Sequence, residues 1–212
     1  TKGFSAVRSV RLILAIYHLP TQRRSIYALG RHVTQTPEAL YDLVKSAVKQ
    51  SPTSFNNQSV RAVVLTGEAH EKLWDMTAKR LQQEVPDEEA YQQTLAKINH
   101  AFKAGFGTVL FFTDTDVVKM YEEQIPLYAE NFYDWSEQGH GMAEYATWLA
   151  LTEAGLGASL QHYNPLIDEA VAAAFDIPDN WRLRAQMPFG SIEAAASEKD
   201  MMSDAERFKF FN

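Results

Sequence analysis

The sequence predicts an α+β sandwich, a sheet covered by helices, and three observations favour that fold class. The 212 residues, of which 46% are hydrophobic, suit one folded domain with a sizeable core. Four short segments rich in β-branched and aromatic residues have the character of strands. Helical segments separate these strands without the regular strand–helix–strand series of a doubly wound sheet, so a sandwich is the expected architecture.

The N-terminal region stands apart by its charge. Residues 1–37 carry six Lys or Arg and no acidic residue, whereas the whole chain has a formal charge of −7. Within this region the apolar segment 10–19 is shorter than the ~20 residues that span a bilayer. It is either part of a targeting segment or an amphipathic first helix. We expect a helical extension over residues 1–20, followed by one domain over residues 21–212.

The composition of the chain excludes several function classes. Its acidic net charge argues against a surface that binds nucleic acid. The sequence contains no cysteine, which excludes disulfides, thiolate metal sites and thiol catalysis and is typical of a cytoplasmic protein. We therefore expect neither a nucleic acid nor a membrane as a partner.

Periodicity and end signals define the elements of the first half of the chain. Thr36 and Pro37 are typical of a helix N-cap and first turn, and apolar residues then recur with a helical period. Pro86 and Gly105 mark the ends of two further helices. The predicted elements are a helix over 37–50, a strand over 61–67, and helices over 68–85 and 87–105.

The second half of the chain combines buried strands with one unusually apolar helix. The segment 141–155 is apolar nearly all round, so we expect that helix in the core or in a subunit interface. Residues 205–212 alternate like a strand without a partner, which favours pairing with another subunit. The predicted elements are strands over 107–113, 157–163 and 181–192, helices over 114–124, 141–155 and 166–175, the last begun by Asn164 and Pro165, and a loose aromatic stretch over 125–140.

Common catalytic and nucleotide-binding motifs are missing from the sequence. It contains no G-x-G-x-x-G, G-x-x-x-x-G-K-[ST] or G-x-S-x-G segment. Glu137 and His140 form one Glu-x-x-His pair, but a di-iron bundle needs two such pairs on separate helices. Gly139 and Gly141 are also expected to blur the helix around this pair. We therefore predict no metal site and no catalytic protein nucleophile.

Four segments carry side chains that suit a phosphorylated heterocycle. Residues 23–25, Arg-Arg-Ser, can hold a phosphate by charge-assisted hydrogen bonds, although a solvated basic turn has the same composition. The polar loop, SPTSFNNQSVR over residues 51–61, offers hydroxyl and amide groups without an acidic side chain. QHY at 161–163 and PFG at 188–190 belong to strand ends, where binding groups can converge. Together these segments indicate a flavin mononucleotide (FMN) site.

In these segments the sequence resembles the nitroreductase family of FMN-dependent oxidoreductases. The resemblance rests on Arg-x-Ser at 23–25, on Ser-Pro-[Ser/Thr]-Ser-x-Asn-x-Gln at 51–58, and on PFG with the downstream Glu-Lys at 198–199. GLGASLQHYNP at 155–165 is similar to a short fungal and bacterial branch with a QHYNP segment. The resemblance implies a sandwich with a central mixed or antiparallel sheet of four to five strands. It also implies a homodimer with FMN at the subunit interface and an exchanged C-terminal segment.

The resemblance further implies cofactor-binding residues, position by position. Arg23, Arg24 and Ser25 are implied at the phosphate and ribityl end of FMN. Lys199, or more weakly Arg207, is implied as another phosphate contact. The remaining implied contacts are Ser51, Thr53, Asn56 and Gln58 of the polar loop, Gln161, His162 and Tyr163 of the third strand, and Gly190, where the backbone would pass close to the cofactor.

Two positions depart from the better-known members of the family. Tyr27 and Ser59 stand where those members often have Lys and Pro. The missing lysine matters because a cation near the flavin N1 and O2 stabilises the reduced, anionic ring. Arg61 is the candidate that would supply this charge instead.

The activity implied by the resemblance is reduction of nitroaromatic, quinone or similar acceptors by NADH or NADPH, in a ping-pong hydride transfer carried by the flavin. Aromatic residues over 128–135 are either walls of the acceptor pocket or ordinary core. Two alternatives remain open from the sequence: a flavin-binding regulatory or scavenging protein with little turnover, and a structural helical protein without a cofactor.

Overall fold

The computed structural model of the chain describes residues 18–212, and residues 18–22 are helical. The predicted N-terminal extension and the apolar segment 10–19 therefore lie almost entirely outside the described residues. The strands are β1 (Leu29–Gly30), β2 (Val60–Thr66), β3 (Gly107–Asp114), β4 (Gly157–Ala158) and β5 (Trp181–Ile192). The helices are α1 (Pro37–Gln50), α2 (Gly67–Leu81), α3 (Glu88–Ile98), α4 (Thr115–Gln124), α5 (Ala129–Glu153), α6 (Asp168–Phe175) and α7 (Asp204–Arg207).

The five strands form one antiparallel sheet in the order β1-β5-β3-β2, and β4 also pairs with β5. Helices cover this sheet, so the predicted α+β class and the predicted number of strands are confirmed. The long ladders of the sheet join β3 to β2 on one side and to β5 on the other.

The central strand β3 is buried along its whole length because helices pack on both of its faces. Leu110 and Phe112 pack with residues of α2, α3 and α6 on one face. Val109 and Phe111 pack with residues of α1 and α5 on the other face. The apolar run at 107–113 predicted this two-sided burial.

Helix α5 corrects the prediction of a loose aromatic stretch followed by a separate helix. Residues 129–153 form one continuous helix that passes through Gly139 and Gly141. Tertiary packing outweighs the low helix propensity of glycine here, because Gly139, His140 and Ala143 lie on the buried face of the helix. Gly139 also lies close to the polar loop: a Cβ there would be 3.3 Å from Thr53 Cγ2, a tight contact.

The predicted third strand over 157–163 is wrong in extent. Regular pairing stops at Ala158, and the next bridge joins Gln161 to Gln186. Pro188 lies opposite the gap, and proline has no N–H to donate to a ladder. Only Ser159 N continues the contact, donating to Pro188 O at 3.2 Å.

Helix ends differ from the predictions in three places. Helix α2 stops at Leu81, before the predicted end at residue 85. Helix α3 stops at Ile98 and continues as a π-helical turn over Asn99–Lys103. Helix α6 begins at Asp168, and its N-cap residue is Ile167. The predicted N-cap, Asn164, instead accepts a hydrogen bond at Oδ1 from Gln186 Nε2 at 3.1 Å. The Asn164–Pro165 peptide bond is cis.

The C-terminal segment also differs from its prediction as a strand. Residues 204–207 form one short helix. Ser203 Oγ donates to Glu206 Oε2 at 2.7 Å, and Glu206 N donates to Ser203 O at 3.1 Å, so both hydrogen bonds close the turn at the start of this helix. The segment is exposed over 197–212.

Candidate functional site

A basic cavity of about 530 Å³ lies between the start of the described chain and the segment that follows β5. Arg23, Arg24 and Ser25 line one side of it, and Lys199 lines the other. Three cationic side chains around one opening, together with a hydroxyl group, form a set of donors that suits a phosphate monoester.

Backbone contacts fix the walls of the basic cavity. Ile26 N donates to Ala158 O at 2.9 Å, which attaches residues 25–26 to strand β4. Arg24 Nη2 donates to Ser197 O at 2.6 Å and thereby links the two walls. The Arg23 guanidinium lies 4.5 Å from the ring centroid of Trp148 on α5, in a cation–π arrangement.

The polar loop is folded onto itself and onto α1. Ser51 Oγ donates to Ala47 O at 2.8 Å, and Gln58 N donates to Thr53 Oγ1 at 2.9 Å. Asn56 and Gln58 adopt left-handed backbone conformations, with φ of 53° and 51°, and their side chains are exposed. Gln58 Nε2 donates to Asn56 O at 3.3 Å, so the Asn56 amide is the freer of the two for a ligand on the outer side of the loop.

Two buried polar residues of the polar loop were missed by the sequence argument. Asn57 Oδ1 accepts from Ser59 N at 3.1 Å. Asn57 Nδ2 and Ser59 Oγ are buried without a hydrogen-bond partner among the described residues. The sequence offers no signal that separates the buried amide of Asn57 from the exposed amide of Asn56.

Arg61 has a structural role that the sequence did not show. Its guanidinium donates to Gln58 O at 2.6 Å and to Asp114 Oδ2 at 2.8 Å. The Asp114 side chain is only 10% exposed, so this ion pair neutralises a nearly buried carboxylate. Arg61 thus attaches the polar loop to the end of β3, and its positive charge is paired with the Asp114 carboxylate.

At the end of the third strand the backbone is tied to Gln186, since Tyr163 N donates to Gln186 Oε1 at 2.7 Å. Gln161 pairs with Gln186 through two backbone hydrogen bonds, and Gln161 Nε2 donates to Ser159 Oγ at 3.1 Å. His162 is exposed. The Tyr163 ring packs against the core, with its centroid 6.0 Å from that of Trp74, and burial raises the pKa of its hydroxyl.

Two further predicted cofactor contacts, Gly190 and Arg207, each lie against another residue of the chain. A Cβ at Gly190 would overlap the Gly30 carbonyl oxygen, so close strand packing already requires glycine at this position. The Arg207 guanidinium lies 5.2 Å from the ring centroid of Phe208 in the exposed C-terminal segment.

The predicted cofactor residues at 23–25 and Lys199 do not share a cavity with Ser51 of the polar loop. Ser51 lines an apolar groove of about 550 Å³ between α1 and α5, whereas residues 23–25 and Lys199 line the basic cavity. Among residues 18–212, no hydrogen bond or ion pair joins the polar loop to residues 23–25.

Aromatic residues of 128–135 gather around Phe55 of the polar loop. Ring centroids of Tyr128, Phe132 and Trp135 lie 5.6–6.2 Å from that of Phe55. Phe132 is fully buried, whereas Tyr128 is partly exposed. The cluster therefore belongs to the core at one end and to the surface at the other.

The two residues of the Glu-x-x-His pair of α5 contact different partners. Glu137 pairs with Arg182 and Arg184 of β5, and His140 Nε2 lies 2.9 Å from Glu144 Oε1. Within residues 18–212, no group of three or more His, Cys, Asp or Glu side chains is arranged to hold a metal ion. No helix in this part of the chain is long and apolar enough to cross a membrane.

Known proteins are similar to this chain in sequence and in architecture. The family model described as Nitroreductase family matches residues 21–191. Nitroreductase FRM2 of Saccharomyces cerevisiae is 32% identical over 187 residues, which cover 87% of this chain and 91% of that protein. The structure of nitroreductase CinD from Lactococcus lactis in complex with nicotinic acid is 51% identical, with a TM-score of 0.85, and covers 93% of this chain and 100% of that chain.

Other solved structures extend this comparison. CinD also matches in complexes with chloramphenicol and with 4-nitrophenol. The FMN-dependent nitroreductase NfnB from Mycobacterium smegmatis, solved with NADPH, is 16% identical with a TM-score of 0.74, covering 95% of this chain and 100% of that chain. At that identity the likeness establishes a shared fold.

Proposed function

Because this chain belongs to the nitroreductase family, we propose that it is an FMN-dependent oxidoreductase that uses NADH or NADPH to reduce nitroaromatic, quinone or similar acceptors. The observation that carries the proposal is the basic cavity, where three cations and a hydroxyl surround a space suited to a phosphate. The CinD complexes support the acceptor class, because 4-nitrophenol and chloramphenicol are small aromatic molecules.

The residues of the chain fit FMN by their chemistry. Arg23, Arg24, Ser25 and Lys199 would hold the phosphate. The exposed side chains of Asn56 and Gln58 would meet the edge of the ring. The other proposed contacts are Ser51 and Thr53 of the polar loop, Gln161, His162 and the Tyr163 backbone at the strand end, and Gly190.

When bound, FMN supplies the redox chemistry, taking hydride from the nicotinamide and passing it to the acceptor in a ping-pong sequence. The protein side chains bind and orient the reactants and exclude water from them. For a nitro acceptor, RNO₂, NADH and H⁺ yield RNO, NAD⁺ and H₂O, so no catalytic nucleophile is required of the chain.

The site is proposed to be completed by a second copy of the chain in a homodimer. Ser51 of the polar loop and the basic residues Arg23, Arg24, Ser25 and Lys199 line different cavities of one chain. The apolar groove between α1 and α5 is bordered by the exposed side chains of Met142 and Tyr145. Burial of this groove against a second copy would bring the polar loop of one chain to the basic cavity of the other.

One observation favours the alternative of a flavin-binding regulatory or scavenging protein with little turnover. Arg61 is committed to Asp114, and Tyr27 stands where many family members have a lysine. Fewer cations near the ring would lower the stability of the reduced flavin and slow its reduction by a nicotinamide.

The deciding experiment is anaerobic titration of the purified protein with NADH and, separately, NADPH. We expect a yellow protein that bleaches with one of them and regains its colour when a nitroaromatic or quinone is added. A yellow protein that neither nicotinamide bleaches would favour the regulatory or scavenging alternative. A colourless protein that does not take up added FMN would reject both.

A further inference from the structure

Phe55 adopts a backbone conformation that its side chain disfavours. It lies in the 3-10 turn Ser54–Asn56 of the polar loop, with φ 52° and ψ 23°. In the left-handed region the Cβ crowds the following carbonyl, so glycine or asparagine is usual there and a bulky residue is rare. Asn56 N donates to Thr53 O at 2.9 Å and Asn57 N donates to Ser54 O at 3.0 Å, and these hydrogen bonds hold the turn.

The conformation of Phe55 places its ring at the surface. The side chain is 54% exposed, although it is apolar and is flanked by Ser54 and Asn56. Disfavoured backbone conformations are retained mainly where the surrounding structure and function require a side chain in one place. A ring that is both strained and exposed therefore requires an explanation beyond core packing.

The neighbouring aromatic residues support the ring on one side only. Interplanar angles of 33–50° with Tyr128, Phe132 and Trp135 show tilted packing against the cluster. Because more than half of the side chain remains exposed, part of the Phe55 ring stays free. A planar aromatic molecule can pair with such a ring in an offset-stacked or edge-to-face arrangement.

We propose that Phe55 determines acceptor specificity by packing its exposed ring on planar aromatic acceptors. The inference rests on the proposed function, because it requires FMN beside Asn56 and Gln58, the two amides that follow Phe55 in the loop. An acceptor lying on the flavin would then meet the Phe55 ring at its side. Acceptors without an aromatic plane gain nothing from this contact.

The test compares Phe55→Leu and Phe55→Gly with the wild-type protein. Leucine keeps an apolar side chain without a ring, and glycine relaxes the left-handed backbone while removing the ring. We expect both variants to raise the KM for 4-nitrophenol by about three- to ten-fold. Turnover with ferricyanide, which needs no stacking contact, should stay unchanged.

Tyr41→Leu is the matched control, because Tyr41 is 50% exposed on α1 and makes no ring contact with the Phe55 cluster. It should leave the KM for 4-nitrophenol at the wild-type value. An unchanged KM in both Phe55 variants would overturn the proposal, as would an equal loss with ferricyanide. In each of these cases bound, reducible FMN would still uphold the proposed function.

Discussion

At the scale of single residues, position decides what an arginine does in this protein. Arg61 joins the polar loop to a nearly buried carboxylate, and Arg24 joins the two walls of the basic cavity. Arg23 makes a cation–π contact and still lines the cavity. The guanidinium suits all three tasks because it presents several donors in a fixed plane.

Arg23→Ala should weaken FMN binding by about ten- to hundred-fold, since a hydrogen bond to a charged group contributes ~1.5–3 kcal/mol. Arg23→Lys should lose less, because it keeps the charge and loses only the planar contact. Fluorescence titration of the flavin-free protein with FMN measures both. Arg80→Ala is the control, since Arg80 pairs with Glu84 near the end of α2, and it should bind FMN as the wild-type protein does. Equal affinities in all four proteins would remove Arg23 from the site.

His70 makes the stability of the fold depend on pH. Trp74 Nε1 donates to Thr108 Oγ1 at 3.0 Å, Thr108 Oγ1 lies 2.9 Å from His70 Nδ1, and His70 Nε2 donates to Lys103 O at 3.1 Å. Burial lowers the pKa of His70 to about 4 from 6.5, although the hydrogen bond to Lys103 opposes this shift. The folded chain therefore keeps His70 neutral where the unfolded chain already binds a proton.

The free energy of unfolding should consequently fall as the pH drops from about 6.5 towards 4, the range between the unfolded and folded pKa values. Between pH 7 and pH 5 this group should remove about 2 kcal/mol. Urea unfolding at pH 7 and pH 5 measures this loss of free energy of unfolding. His70→Gln should lack this part of the pH dependence. His100→Gln, a control at an exposed position, should retain it. The same pH dependence in His70→Gln as in the wild-type protein would contradict the assignment.

At the scale of elements, local sequence signals predicted helices and strands whose ends are set within the segment itself. They did not predict ends that are set by contact with a neighbouring segment. Helix α1 follows its sequence from the Thr36 cap onward, and β3 follows its apolar run. The third strand is shorter than predicted because Pro188 of the opposite strand interrupts the ladder. Helix α5 is longer than predicted because packing stabilises it through two glycines. Neither length can be predicted from the sequence of the element alone, because each depends on residues that pack against the element.

The two glycines of α5 should respond oppositely to alanine. At Gly141 a Cβ would meet nothing within 4 Å, so Gly141→Ala should raise the free energy of unfolding by ~0.5–1 kcal/mol through helix propensity. At Gly139 the Cβ would press on Thr53 of the polar loop, so Gly139→Ala should forfeit this gain and weaken FMN binding several-fold. Urea unfolding and FMN titration test the pair. Identical behaviour of the two variants would show that the loop does not depend on its contact with α5.

At the scale of the whole molecule, one chain presents two incomplete surfaces. The basic cavity lies on one, and the polar loop with the apolar groove lies on the other. The sequence motifs predicted Arg23, Arg24, Ser25 and Lys199 of the basic cavity, but only Ser51 among the residues that line the groove. They were unable to show that the residues line separate cavities, because that separation depends on how β4, β5 and α5 are arranged in space.

The exposed apolar residues support a second copy as the missing partner. Phe208, Phe210 and Phe211 of the C-terminal segment are 62–86% exposed, and the groove between α1 and α5 is lined largely by apolar side chains. Exposed apolar side chains of this kind favour an interaction surface. Burying it needs a partner with complementary apolar surface, and a symmetric dimer offers the same groove and segment twice.

Ala146→Glu, which places a charge in the groove, should therefore convert a dimer into a monomer. We expect light scattering to give twice the 24.0 kDa of one chain for the wild-type protein and a single chain mass for the variant. The variant should also lose FMN, because each site would take its polar loop from the other chain. Gln93→Glu, an equal change of charge on exposed α3, should leave both mass and FMN content unaltered. A monomeric wild-type protein that retains FMN would show that one chain binds the cofactor alone, and the groove would then need another occupant.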